Sequence, residues 1–304
     1  MTNRKLSLVS MLVMLPMLLL AQAEALFNNT LLNDSLEEVT QKTSEISATQ
    51  NVFTNTIPRF PLAKARESHL LCTNLKTNNG TIDKVVFTFA DDKLVYIEAK
   101  GNVLALTSER QDTARTYMDY DVYLKDKLFV KNASDQAWII NDEAMHVNLF
   151  TWENPYLKSD FKSNALPINK AIPEFIKMGA SLSEMQPVLE TNSQFSNKEV
   201  LDGKDPNAQL QINAFGVNYL GFPRKVEARF GDEKLNVVWI LTAKGEEDRI
   251  RQALIEQYGK PIFVDDNWEI FNDWQVGLRK DKPEILLIEK ALGQVYKKQF
   301  FKQE

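Results

Sequence analysis

Residues 85–94 read VVFTFADDKL and residues 226–235 read VEARFGDEKL. In each, an alternating run rises to a Phe, an acidic pair makes a turn, and Lys-Leu opens a second strand. The same order continues in both halves. VYIEAKG (95–101) is matched by NVVWILTAKG (236–245), a polar helical stretch near Ser108–Tyr117 by a helix over Glu246–Tyr258, and Ala-Trp138-Ile-Ile-Asn-Asp142 by Asn-Trp268-Glu-Ile-Phe-Asn-Asp273. A shared order of this kind marks a duplicated unit. The fold class is therefore α+β, with two related modules, each made of short helices packed on an antiparallel β-meander.

The second module is expected over 179–304, with a C-terminal tail. Ser181 and Glu184 form a capping box, and Leu182, Met185 and Leu189 give one helix face. Strands at Gln209–Phe215, Lys225–Phe230 and Leu235–Leu241 follow, then a helix closed by Gly259-Lys260-Pro261, then strands over Trp268–Arg279 and Glu284–Ile288. The first module is expected over 58–156, with Asn78-Asn79-Gly80 as a hairpin turn. Residues 157–178, punctuated by Pro167 and Pro173, read as a linker. Residues 24–57 read as a polar segment in which Leu32, Leu36, Val39, Thr43 and Ile46 form the apolar face of a helix, capped by Ser35 and Glu38.

The helix opening on Gly179-Ala180-Ser181, the F-x-D-x-K-L meander and the Tyr258-Gly259-Lys260-Pro261 ending resemble the small α+β modules of bacterial envelope proteins. These include the small outer-membrane assembly lipoproteins and, as a tandem pair, the β-lactamase inhibitor protein. The resemblance covers 179–288; over 62–150 it is poorer, because Tyr117-Met118-Asp119-Tyr120 stands where the second half has its Y-G-K-P ending. It implies a helix pair on a curved antiparallel sheet, with binding rather than chemistry on the exposed sheet face. The lipoprotein cysteine is missing, so tethering is not implied.

Residues 1–23 read as a secretory signal peptide: Arg4 and Lys5, an apolar run over Leu6–Leu20 broken by Pro16, and the small-residue site Ala21-Gln22-Ala23. Without them, 34 basic residues face 41 acidic ones, a net charge of −7 that disfavours nucleic acid as a partner. No later stretch is long and apolar enough to be a transmembrane segment. Cys72 is the sole cysteine, so no internal disulfide can form despite export, with the periplasm as the expected compartment.

Catalytic motifs are missing. His69 and His146 are the only histidines, and no H-E-x-x-H or G-x-S-x-G occurs. His69 and Cys72 have a spacing that chelates metal on a helix, but HLLCTNL reads as a strand, on which they point to opposite faces. The acid pairs Asp91-Asp92, Asp232-Glu233, Glu246-Glu247 and Asp265-Asp266 read as solvated turns. Neither a metal nor a cofactor is therefore expected. Aromatic residues are the binding candidates: Trp152 and Tyr156 in a loop, and Trp268 and Trp274, which share a face if one strand joins them. Trp239, inside VVWIL, reads as core. Tyr296, Lys297, Lys298, Phe300 and Phe301 could touch an anionic membrane surface from a loose tail.

The sequence thus predicts an exported, noncatalytic binding or envelope-assembly protein, whose two modules present their exposed faces to a protein partner. The alternative is a periplasmic hydrolase or a small-molecule or lipid binder with a cleft between the modules, near His146, Trp152 and Glu153.

Overall fold

The computed structural model describes residues 27–107, 114–158 and 172–303. The signal-peptide stretch 1–23 and most of the linker lie outside the described residues. Helix α1 (Leu36–Ser44) leads into β1 (Thr49–Asn55), β2 (Glu67–Thr77), β3 (Gly80–Ala90) and β4 (Lys93–Lys100). After the short α2 (Val103–Thr107) come β5 (Arg115–Tyr117), β6 (Tyr120–Tyr123), β7 (Leu128–Lys131), β8 (Gln136–Ile140) and α3 (Asp142–His146). The second half repeats this order. Helix α4 (Leu182–Thr191) precedes β9 (Phe195–Val200), β10 (Leu210–Tyr219), β11 (Phe222–Gly231) and β12 (Lys234–Leu241). Helix α5 (Glu247–Tyr258) precedes β13 (Phe263–Val264), β14 (Trp268–Phe271), β15 (Val276–Arg279), β16 (Glu284–Ile288) and finally α6 (Lys290–Gln299).

Each half folds one antiparallel eight-stranded sheet, ordered β1-β2-β3-β4-β8-β7-β6-β5 in the first and β9-β10-β11-β12-β16-β15-β14-β13 in the second. The orders match strand for strand, so the fold is α+β with two related modules. The repeated hairpins agree in detail. Asp91, Asp92, Asp232 and Glu233 all have positive φ, from 49° to 69°, as a tight turn between right-twisted strands requires. Both ladders slip at the same point, between Thr88 and Phe89 and between Arg229 and Phe230, leaving Val95 and Asn236 as the bulged residues.

Four expectations change. The tryptophan motif does not align the halves, because Trp138 lies in β8 while Trp268 lies in β14, the counterpart of β6. The helical stretch near Ser108–Tyr117 is a helix only before it, at Val103–Thr107; Arg115–Tyr117 is strand, and 108–113 lie outside the described residues. Residues 24–57 are not a separate segment from residue 27 onward. Val39 is buried with Leu70, Cys72 and Phe87 while Leu32, Leu36 and Ile46 pack around them, and β1 is the edge strand of the first sheet. Likewise Ile172 and Ile176 join the second core, so that module begins before Gly179.

Helices α1 and α2 cover one face of the first sheet, and α4 and α5 the matching face of the second. A separate core lies on the other face of the first sheet, where Phe60, Tyr96, Trp138, Phe150 and Trp152 meet Phe215, Phe222 and Ala243 of the second module. The backbone is tied across the same junction: Arg249 donates to the carbonyls of Ala63 and Phe60 at 3.0 and 3.1 Å, and Gly245 lies so close to Leu62 that a Cβ there would meet its carbonyl carbon at 2.3 Å.

Within the second module Arg224 and Glu246 are fully buried and joined at 2.6 Å. Burial pushes the Glu246 carboxyl up and the Arg224 guanidinium down, opposed by their mutual attraction. Removing one partner strands the other charge in the core. Glu246→Ala is expected to cost about 3–5 kcal/mol of unfolding free energy, measured by denaturant unfolding; a loss under about 1 kcal/mol would mean water reaches Arg224.

Candidate functional site

Trp152 follows the short turn Leu149–Thr151 and is only 8% exposed. Its ring centroid lies 5.2 Å from those of Tyr96 and Phe222 and 5.4 Å from that of Phe60, and its carbonyl accepts from Tyr96 Oη at 2.8 Å and Trp138 Nε1 at 3.1 Å. Trp152 is therefore a core residue of the module junction, rather than the exposed loop residue its sequence surroundings suggest. The sequence gives no sign of this, because the rings that bury it come from β11 and from Phe60, far away in the chain.

Beneath it runs a buried polar network. Glu98, on β4, accepts from the Asn154 amide at 2.6 Å, from Gln136 Nε2 at 3.1 Å and lies 2.9 Å from Tyr96 Oη. Asn154 Nδ2 reaches Thr88 Oγ1 at 3.0 Å and His69 Nδ1 at 3.2 Å. The single phenolic hydrogen of Tyr96 cannot serve both Glu98 and the Trp152 carbonyl. A proton on Glu98, donated to the Tyr96 oxygen, resolves the conflict. In agreement, burial pushes the Glu98 carboxyl up to about 8, with Glu153 nearby adding to the effect. A lone acid inside VYIEAK is the signal that could have marked this site.

Tyr156 sits differently. It is half-buried, stacks on Phe53 of β1 with centroids 4.2 Å apart, and lies 4.8 Å from the His69 ring. This places it beside β1, the edge strand of the first sheet among the described residues. That edge has no charged residue: β1 reads Thr-Gln-Asn-Val-Phe-Thr-Asn, with Val52 and Phe53 47% and 37% exposed and Ile57, just beyond, 79% exposed. The other three edges are blunted. β5 has three residues and an arginine, β13 has two, and β9, the counterpart of β1, carries Lys198 and Glu199. The β-branched and aromatic run ending at Pro58 is the signal missed here.

Trp268 and Trp274 do not share a strand. Asn272, Asp273 and Trp274 have positive φ and form the turn between β14 and β15. They still belong to one cluster, because both pack on Phe301, at 5.8 and 5.3 Å, and Trp268 also meets Trp239 at 6.2 Å. Trp239 is half-buried on the outer face, with Val237, Leu286 and Ile288, rather than in the helix-side core. The C-terminal segment is therefore docked, and residues 290–299 form a helix instead of a loose tail.

The strand reading of His69 and Cys72 holds: His69 faces Asn154, whereas Cys72 is buried beside Thr43 Oγ1 at 3.7 Å. Of the acid pairs, Glu246 is no solvated turn residue, being buried against Arg224, and Asp91 does more than turn the chain, accepting from the amides of Lys64, Ala65 and Arg66 at 2.7–2.9 Å. A cleft of about 520 Å³ does lie between the modules, and among the residues lining it are Lys131, Trp152, Glu153, Gln194 and Asn218. His146 does not line it.

Two outcomes follow from this geometry. Trp152→Ala is expected to cost about 3–5 kcal/mol of stability; a thermal midpoint near that of the parent would return the residue to the surface. For Glu98, the folded chain keeps a proton that the unfolded chain releases near 4.5. Its contribution to stability therefore falls as pH rises from about 4.5 to 8 and is level above. The stability of Glu98→Gln relative to the parent should accordingly improve across pH 5–8, whereas a pH-independent difference between the two would mean Glu98 is ionised throughout.

Compared with known proteins, the chain matches no family model, no curated protein and no solved structure.

Proposed function

We propose that this chain is an exported binding protein that takes an extended segment of a partner protein onto β1. The observation that carries the reading is the contrast among sheet edges: three are short or charged, and β1 alone is seven residues long, uncharged and flanked by exposed apolar side chains. An open strand offers a row of unpaired amides and carbonyls that an incoming strand satisfies. Val52 and Phe53 lie on opposite faces, so the added strand would present one apolar side chain to Val52 and another to the Phe53–Tyr156 stack. Export is supported by the leader-like residues 1–23, and an envelope setting by the resemblance of 179–288 to small envelope modules. The cleft reading has less behind it, since neither histidine lines the cleft and Glu98 beneath it is already hydrogen-bonded within the protein.

A photo-crosslinking amino acid at Asn51, in living cells, is expected to give one recurring protein adduct that disappears on Val52→Lys. The same probe at Val200 of β9 should give none. Equal adducts from the two positions, or an adduct indifferent to Val52→Lys, would rule out recognition at this edge.

A further inference from the structure

The outer surface of the second module carries a second and separate feature. Residues 290–304 contain Lys290, Lys297, Lys298 and Lys302 against a single acidic residue, Glu304, in a chain with an excess of acids. Helix α6 buries Leu292 and Gly293 against the sheet, and Gly293 is packed so closely that a Cβ would come within 2.5 Å of the Trp274 carbonyl oxygen. Phe301 is held by Phe263, Trp268 and Trp274 at 5.3–5.8 Å. With its neighbour anchored in this way, Phe300 is fixed pointing outward at 66% exposure, its ring 4.7 Å from that of Tyr296, and Val295 is 43% exposed. Lys298 and Lys302, two residues before and after it in the chain, are both exposed. Acids lie chiefly at the other end of the helix, where Glu289 caps it and Asp273 pairs with Lys290 at 3.6 Å; Asp205 lies near Tyr296.

The geometry points to an anionic bilayer surface as the occupant of this face. Phe300 would enter the headgroup boundary while Lys298 and Lys302, on long flexible stems, reach lipid phosphates. Apolar side chains amid an excess of lysines suit this partner: a protein groove would have to neutralise the lysines, whereas an anionic bilayer supplies charge and apolar depth together. Since helix and Phe301 are already docked, little ordering is needed on contact. The inference is independent of the β1 reading.

The test is co-sedimentation of the chain beginning at Glu24, so that the apolar leader contributes nothing, with vesicles of phosphatidylglycerol and phosphatidylcholine (three to seven) or of phosphatidylcholine alone. Partitioning is expected to be about tenfold or more stronger on the anionic vesicles and to fall about tenfold in high salt. Phe300→Ser and the double variant Lys298→Gln/Lys302→Gln should each lose most of it, with the thermal midpoint unchanged because these side chains are exposed. Equal partitioning into both vesicle types, or variants that bind like the parent, would overturn the proposal.

Discussion

Each sheet has two faces to bury; α1 and α2, or α4 and α5, cover one, and the short α3 and α6 reach only part of the other. In the first module the second face is closed by Trp152, Phe60 and Phe150 together with Phe215 and Phe222 from the second module. Rings of this size each bury 150–250 Å² and dominate the energetics of such a junction. The two modules therefore do not behave as beads on a linker. Arg249 on α5 fastens the backbone around Phe60, and Gln194 donates to the Thr151 carbonyl at 2.8 Å, so the angle between the sheets is held at both ends of the aromatic cluster.

The duplicated plan makes the differences between the halves informative. Position by position, Glu98 of the first module corresponds to Trp239 of the second, since both follow the same bulge and face β8 or β16. One face became a polar network sealed beneath Asn154, and the other an aromatic surface partly covered by α6 and Phe301. A similar divergence separates β1 from β9, where an uncharged edge stands opposite a charged one. Sealing the network keeps Glu98 away from water, which is why its carboxyl holds a proton near neutral pH.

Much of this architecture could be read locally. The acidic turns at Asp91-Asp92 and Asp232-Glu233, the capping boxes at Ser35 and Ser181, and the glycine stop at Gly259 each act within a few residues, and the structure contains all of them. What could not be read depends on neighbours distant in sequence. Trp152 resembles an exposed loop tryptophan until β11 is laid over it. Trp268 and Trp274 look like one strand until three consecutive positive φ values turn the chain between them. β1 is hidden by its polar surroundings, since an edge strand needs no apolar alternation on a face that it only half covers. Of the four aromatic candidates, Tyr156 alone adjoins the open edge, and Phe53, which completes that surface, escaped notice for the same reason as its strand.

The account stands or falls on β1 being an acceptor for an added strand, and amide hydrogen exchange across Thr49–Asn55 reads this most directly. In the free protein, the outward-facing amides of β1 should exchange rapidly while those paired with β2 exchange slowly. In the complex with the captured partner, the account predicts that the fast set becomes protected while β9 is unchanged. A complex in which residues 49–55 exchange as they do in the free chain would contradict it.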